Sequence, residues 1–144
     1  NELVILDYTK NFPIQLVESK VDYFVIDSSR FINANIYSSL SLPQTTGFYQ
    51  VLYHNKTAVF ARKEKQLVLS SKDENDSHYK EFDWYYIYLD NKLYKVDNEK
   101  TVLNVFTDKK SELKKFINTN RIKFRKNFEN AIVRTTAYYD QLKK

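Results

Sequence analysis

Two runs of β-forming residues, each interrupted by an Asn-Lys pair, constrain the fold of this chain more than any other feature. The pairs are Asn55-Lys56 and Asn91-Lys92. The flanking runs are residues 48–53 and 58–61 around the first pair, and residues 84–89 and 93–96 around the second. Asparagine readily adopts the positive φ that a tight hairpin turn requires. The two segments therefore predict β-hairpins within an antiparallel meander.

Shorter apolar stretches come before these hairpins. Residues 2–8, 14–17 and 21–27 combine aliphatic and aromatic side chains and predict two or three short strands. Residues 31–42 place Ile32, Ile36 and Leu40 at helical spacing, but abundant Ser and Asn favour an irregular covering segment. Residues 70–80 are polar and predict an exposed, mobile loop.

The hydrophobic period changes from that of strands to that of helices after Val96. Asp97 or Asn98 can cap a first short helix, Thr107 or Asp108 a second, and Asn127 a third. Between the second and third, residues 121–125 alternate apolar and basic side chains, which predicts an extended connector pinned to the core. The apolar faces of the three helices consist of Val102, Leu103 and Phe106, then Leu113, Phe116 and Ile117, then Phe128, Ile132, Thr136 and Tyr139.

The order of these elements, strands first and helices second, is typical of an α+β fold. We predict one domain over residues 1–144, with a β-rich part over 1–97 and a basic helical part over 98–144. The β-rich part is expected to form an antiparallel meander of about six to eight strands. Two to three short C-terminal helices are expected to pack on it, because helices this short need the sheet to bury their apolar faces.

Composition excludes several kinds of site. Twelve Tyr, ten Phe and one Trp supply the apolar surface for a core, whereas the chain has one Gly and no Cys. A single Gly cannot build a Gly-rich phosphate loop, and without Cys there is no disulfide, thiolate metal site or cysteine nucleophile. No apolar run approaches the ~20 residues that span a bilayer as a helix. The chain also lacks Met and begins at Asn1, which either a removed export signal or simple truncation would explain.

The positive charge is concentrated at the C-terminal end. Residues 1–97 hold eleven Lys and Arg against thirteen Asp and Glu, whereas residues 98–144 hold twelve against five. Eight of these cations fall between positions 109 and 126. Such a cluster is either a surface for anionic partners or simply the solvated face of helices that bury their other side.

Candidate catalytic groups are sparse. His54 and His78 are the two histidines, and neither has a partner at metal-ligand spacing. Asp73, Glu74 and Asp76 could attract calcium, but the segment lacks the Gly and terminal Glu of an EF-hand. We therefore predict no cofactor, no metal and no enzymatic activity, although an active site assembled only by geometry stays open as an alternative.

Alternation in the second hairpin sorts its aromatic side chains. Tyr86 and Tyr88 should share one sheet face with Trp84, and Tyr85 should share the other with Ile87. One face is expected to pack on the helices, and the second is either a stacking surface for sugar or peptide or part of the core. The candidate interaction residues are Lys109, Lys110, Lys114, Lys115, Arg121, Lys123, Arg125, Lys126, Tyr85, Tyr86 and Tyr88.

Several segments of the chain carry a family resemblance, from residue 23 to the end. They are 47–53, 55–56 and 61–63 in the first hairpin, 84–89 and 91–92 in the second, and 108–117, 124–127 and 138–142 in the helical part. Together they resemble a family of small, functionally uncharacterised exported proteins of Bacteroidetes, with a Gly-aromatic-x-Val-Leu-Tyr hairpin and a basic helical tail. The resemblance implies an exported protein of the periplasm or cell surface, with a signal peptide and room for a lipid anchor upstream. It implies no catalytic residue.

Two binding functions follow as expectations. The first is a non-enzymatic module that binds another protein of the cell envelope. The alternative is polyanion or nucleic-acid binding through residues 98–144. Nucleic acid is the less favoured ligand, because no zinc-finger, RNA-binding or GXXG motif accompanies the cations.

Overall fold

The computed structural model describes residues 3–7, 9–35, 40, 42–43, 46–68 and 78–143. These residues form eight β-strands and three α-helices, in that order along the chain. Six strands make one antiparallel sheet, in which each strand pairs with its neighbours in sequence. The predicted α+β meander with short C-terminal helices is therefore confirmed.

The strands fall into two sheets. A separate two-stranded sheet is made by β1 (Leu3–Asp7) and β2 (Phe12–Leu16). The six-stranded sheet consists of β3 (Tyr23–Ile26), β4 (Ser29–Asn33), β5 (Phe48–His54), β6 (Ala58–Val68), β7 (His78–Leu89) and β8 (Lys92–Val96).

The two predicted hairpins form, but their turns differ. Asp90 and Asn91 both have positive φ, 49° and 61°, as a two-residue turn between β7 and β8 requires. The first hairpin turns at Asn55-Lys56 as predicted, but Asn55 is not among the described residues with positive φ, so the φ expected of it was wrong. There the Asn55 N–H donates to the Thr57 carbonyl at 2.9 Å, and β5 has an irregularity between Val51 and Tyr53.

Two segments differ from their predictions. Part of the segment predicted to be an irregular cover belongs to β4, because residues 31 and 32 pair with β3 and residues 31–33 pair with β5. The buried Asn33 side chain donates to the Glu18 and Val21 carbonyls at 2.8 Å. Of the loop predicted over 70–80, residues 70–77 lie outside the described residues. His78 begins β7 and pairs with Val68, so the prediction was wrong for residues 78–80.

The helices are α1 (Glu99–Val105), α2 (Lys110–Thr119) and α3 (Phe128–Leu142). The predicted caps at Asn98 and Asn127 are confirmed, since their side chains accept from the Thr101 and Asn130 N–H groups. Neither Thr107 nor Asp108 caps α2, because a 3-10 turn over Thr107–Lys109 precedes it. None of the described helices has the length and hydropathy needed to cross a bilayer.

The large sheet separates two apolar cores. One face packs on the helices, where Val59, Ile87 and Val96 meet side chains from all three helices and the connector before α3. Phe106, which is fully buried, stacks on Tyr139 at a centroid distance of 4.2 Å. The other face carries a second core of Ile32, Ala34, Leu42, Tyr49, Ala58, Phe60 and Tyr86. The helices are therefore held on one face of the sheet by the first core, and the second core covers the opposite face.

Candidate functional site

The eight predicted cations lie on α2 and on the segments at its two ends. Lys109 precedes α2, while Lys110, Lys114 and Lys115 belong to it. Arg121, Lys123, Arg125 and Lys126 lie on the connector over residues 120–127 that joins α2 to α3. We call these eight side chains the cationic surface.

Burial of the apolar neighbours turns these cations outward. Leu113 and Ile117 of α2 are buried, as are Ile122 and Phe124 of the connector. Lys123 and Arg125 alternate with the last two and are exposed, as predicted. The Ile122 N–H donates to the Ile117 carbonyl at 3.0 Å, which fixes where the connector leaves the helix. The cations are therefore presented by backbone that the core holds in place.

Few of these charges are neutralised within the chain. Lys109 approaches the Glu112 carboxylate at 3.5 Å, and the Lys110 Nζ donates to Asn104 at 2.8 Å. Among the described residues, the other six have no carboxylate within 4.0 Å; these are Lys114, Lys115, Arg121, Lys123, Arg125 and Lys126. All six are exposed, so their positive potential extends into solvent.

A groove of 690 Å³ runs beside the connector. Lys123 and Arg125 line it together with Lys100, and Asp97 and Glu99 contribute negative charge. The apolar side chains that line it are Ile117, Ile122, Phe124 and Phe128. The groove thus has an apolar floor and a rim of mixed charge, and the cations of the rim come from α1 and from the connector.

The aromatic rings near the cationic surface pack against one another. Phe116 stacks on Tyr138 at 4.0 Å, and Phe124 meets Phe128 edge-on at 5.8 Å. Phe128 in turn packs on Tyr85 at 4.9 Å. These contacts join α2, α3, the connector and β7, so the rings are occupied by one another, whereas single-stranded nucleic-acid binders leave ring faces open for a base.

The three candidate tyrosines occupy both faces of the sheet, and the predicted alternation is confirmed. Tyr85 faces the helices, and its hydroxyl donates to Glu129 at 3.1 Å and to Asp83 at 3.2 Å. Burial, together with these two negative charges, raises the pKa of Tyr85 well above its ordinary value. Tyr86 is only 5% exposed in the second core, so it does not belong to the exposed surface. Tyr88 is half-buried and donates to Asn91 at 3.2 Å.

The two histidines lie far apart. His54 is paired with Ala58 and His78 with Val68, at opposite ends of β6. Ten residues at roughly 3.4 Å each place them about 34 Å apart along the strand. The described residues also contain no group of three or more His, Asp or Glu side chains able to hold a metal ion. Asp73, Glu74 and Asp76 lie outside the described residues.

Asp140, a buried carboxylate that joins α3 to the first hairpin, was not predicted from the sequence. It is 4% exposed and accepts from the Tyr53 hydroxyl at 3.0 Å, the Thr57 N–H at 3.2 Å and the Thr57 hydroxyl at 2.6 Å. One signal could have revealed it: Asp140 follows Thr136 by four residues, on the face of α3 that the apolar pattern marks as buried. A carboxylate there needs donors from another element.

Arg62 is a second buried polar residue that was not predicted from the sequence. Its guanidinium is bonded to the Glu64 carboxylate at 2.6 Å, donates to the Thr46 carbonyl at 2.7 Å and lies 5.4 Å from the centre of the Tyr49 ring. Alternation in β6 places Arg62 on the same face as the apolar Phe60, which was the available signal. This pair connects the segment before β5 to the sheet.

A pH dependence follows from Glu64. Burial raises the pKa of its carboxyl, but hydrogen bonding and charge from Arg62 outweigh this and leave the pKa below its ordinary value of 4.5. A lowered pKa in the folded state means that the carboxylate stabilises the fold above pH 4.5, and that this contribution is lost as the pH falls further. We expect the free energy of unfolding of the wild type to exceed that of Glu64→Gln at pH 7, with the difference shrinking below pH 4.5. Urea titrations across this range measure it, and a constant difference would contradict the assignment.

No family model, curated protein or solved structure matches this chain. The resemblance to exported proteins of Bacteroidetes therefore stays a prediction.

Proposed function

We propose that this protein is a non-enzymatic binding module whose cationic surface docks an acidic segment of another protein. The observation that carries the proposal is the set of six exposed cations that have no carboxylate partner among the described residues. They are held on a helix and connector whose other side is buried. A preformed array of like charges of this kind accelerates encounter with a partner of opposite sign.

The groove favours a protein partner over a ligand that binds through charge alone. Its apolar lining consists of the buried Ile122 and Phe124 and the half-buried Phe128, so Phe128 offers most of the apolar surface next to the cations of the rim. An acidic polypeptide can place apolar side chains on this floor while its carboxylates meet Lys123 and Arg125. Apolar contact beside charged contact is typical of protein interfaces, where buried apolar groups supply affinity and charge supplies orientation.

The proposed location of this interaction is the periplasm or cell surface of a bacterium. It rests on the resemblance of the two hairpins and the basic tail to exported proteins. The partner proposed is accordingly another protein of the cell envelope.

Charge reversal tests the cationic surface. Lys114→Glu/Lys115→Glu and Arg125→Glu/Lys126→Glu each change the net charge from +5 to +1, since each substitution removes two units. We expect wild-type protein immobilised at ~150 mM salt to retain acidic proteins from a cell-envelope extract, and both variants to lose most of that retention. Capture is quantified by mass spectrometry.

The matched control reverses two cations elsewhere. Lys92→Glu/Lys95→Glu makes the same change in net charge on the exposed positions of β8, and it should capture the same proteins as the wild type. Equal losses in this control and in the test variants would show that net charge alone is responsible. Unchanged capture by both test variants would remove the cationic surface from the proposal.

A polyanion is the second candidate ligand, because the same six cations would serve it. The two ligands differ in salt dependence, since release of condensed counterions makes binding to nucleic acid fall steeply with added salt. We expect weak retention on heparin or duplex DNA at ~50 mM salt and none at ~150 mM. Retention on DNA that persists at the higher salt concentration, and that is lost in both charge-reversed variants, would favour the polyanion.

A further inference from the structure

The two edges of the six-stranded sheet are unequal. At one edge, β8 carries exposed Lys92 and Lys95, the kind of charge that protects an edge strand from pairing with another chain. At the other edge, β3 has the sequence Tyr-Phe-Val-Ile and contains no charged residue. Its outer side is unpaired among the described residues. An uncharged edge strand is a template for strand addition.

The side chains of β3 are also unusually exposed for their type. Tyr23, Val25 and Ile26 are 54%, 55% and 51% exposed. Phe24, the remaining residue, stacks on Phe31 at 4.8 Å and meets Phe48 edge-on at 4.9 Å. The edge therefore combines an internal aromatic anchor with three exposed side chains, of which Tyr23 has the Arg30 guanidinium of β4 at 4.6 Å from its ring centre.

The hairpin register shows which main-chain groups of β3 point outward. Ile26 pairs with Ser29 across a two-residue turn, so that pair exchanges hydrogen bonds with β4, as does every second pair from it. The Asn33 N–H indeed donates to the Asp22 carbonyl at 2.9 Å. The intervening residues, Tyr23 and Val25, therefore direct their N–H and C=O groups away from β4, toward the open edge.

These groups are self-complementary. If a second copy approaches antiparallel with Phe24 opposite Phe24, Tyr23 lies opposite Val25 of the other copy, and Val25 opposite its Tyr23. The N–H and C=O groups of Tyr23 and Val25 on each strand are then all paired. The two strands share four hydrogen bonds, two for each Tyr23–Val25 pair. In the same register Asp22 faces Ile26 of the second copy, so the acidic residues that flank β3 do not oppose each other. A shift by two residues in either direction would place residues outside β3 in the ladder.

From this geometry we infer that β3 pairs with β3 of a second copy, joining two six-stranded sheets into one continuous sheet across a two-fold axis. The arrangement closes on itself, because each copy contributes its unguarded edge and keeps the lysine-bearing β8 on the outside. The lack of charge on β3 also fits a second copy better than it fits an acidic partner. The charge that an acidic partner needs lies on the cationic surface. This inference uses a surface separate from the one in the proposed function.

The oligomeric state provides the first test. By light scattering, the wild-type mass should rise toward twice the 17.3 kDa of the chain as concentration increases. Val25→Lys places a charge on the pairing edge and should keep the protein at the mass of one chain. Leu67→Lys is the matched control, because Leu67 is 51% exposed on β6 away from this edge, and it should dimerise as the wild type does. Circular dichroism checks that both variants are folded.

The absence of cysteine from the chain permits a test of register. Opposed Phe24 residues form a non-hydrogen-bonded pair with Cα atoms about 4.5 Å apart, within the range that a disulfide spans. Under mild oxidation, Phe24→Cys should give a covalent dimer. Ile26→Cys should not, since the two copies of that position lie about 13 Å apart along the strands.

Two results would overturn the inference. One is a wild type that stays at the mass of one chain at every concentration, together with a Phe24→Cys variant that forms no covalent dimer. In that case β3 would be free to pair with a strand of another protein. The other is equal cross-linking of Ile26→Cys and Phe24→Cys, which would exclude the register. Neither result bears on the cationic surface, because Val25→Lys should retain acidic envelope proteins as the wild type does.

Discussion

Asp140→Ala is expected to lower the free energy of unfolding by about 3–5 kcal/mol, a large share of the roughly 5–15 kcal/mol typical of a domain. The side chain accepts three hydrogen bonds, from the Tyr53 hydroxyl and from the N–H and hydroxyl of Thr57. Thr57 is 1% exposed, so its donors would lose their partner in a place that water does not reach easily. Each buried donor left unpaired costs about 1–3 kcal/mol, and the three losses are not fully additive.

Chemical denaturation of three further variants separates this cause from a general effect of mutation. Asp140→Asn keeps one acceptor oxygen and should lose less stability than Asp140→Ala. Thr57→Val removes one donor and should also lose less. Asp22→Ala removes an exposed aspartate and is expected to stay within about 0.5 kcal/mol of the wild type. If Asp140→Ala were as mild as Asp22→Ala, the three hydrogen bonds would not secure α3 to the hairpin.

Arg62→Met is expected to destabilise the protein by about 3–5 kcal/mol, because it leaves a partner charge without compensation. The Glu64 side chain is only 14% exposed and is bonded to the guanidinium at 2.6 Å. The Thr46 carbonyl loses its donor in the same variant. Methionine retains most of the apolar volume, so the effect measured in a urea titration reports chiefly on the polar contacts.

The double variant Arg62→Met/Glu64→Leu distinguishes a broken ion pair from simple loss of packing. Replacing both partners of a buried pair by apolar side chains is often neutral or even stabilising. The double variant should therefore be more stable than Arg62→Met alone. A double variant less stable than the single one would mean that Glu64 makes its contribution independently of Arg62.

These polar contacts bear on the proposed function through rigidity. Asp140 secures α3 to the turn between β5 and β6, and α3 follows directly on the connector that carries four of the eight cations. If that anchor is lost, the helices should be less firmly held on the sheet, and the cations would no longer be presented in one arrangement. A preorganised surface binds more tightly because less conformational freedom is lost when the partner arrives.

Local chemistry in the sequence determined much of the fold. The positive φ at Asn91, the caps at Asn98 and Asn127, and the alternation that separates Tyr85 from Tyr86 depend on residues within a few positions of each other. The exposure of the connector cations follows from the same alternation. Features of this kind can be predicted because the backbone and its nearest side chains decide them.

Tertiary structure alone decided the remaining features. Asp140 finds its donors 83 and 87 residues earlier in the chain, and the buried Asn33 amide donates to two carbonyls 12 and 15 residues away. No local pattern encodes such pairings, since they require segments that are distant in sequence to meet in the fold. The same holds for the sheet edges. β3 is an edge strand because the strand order places it at one end, and that order results from the pairing of all six strands.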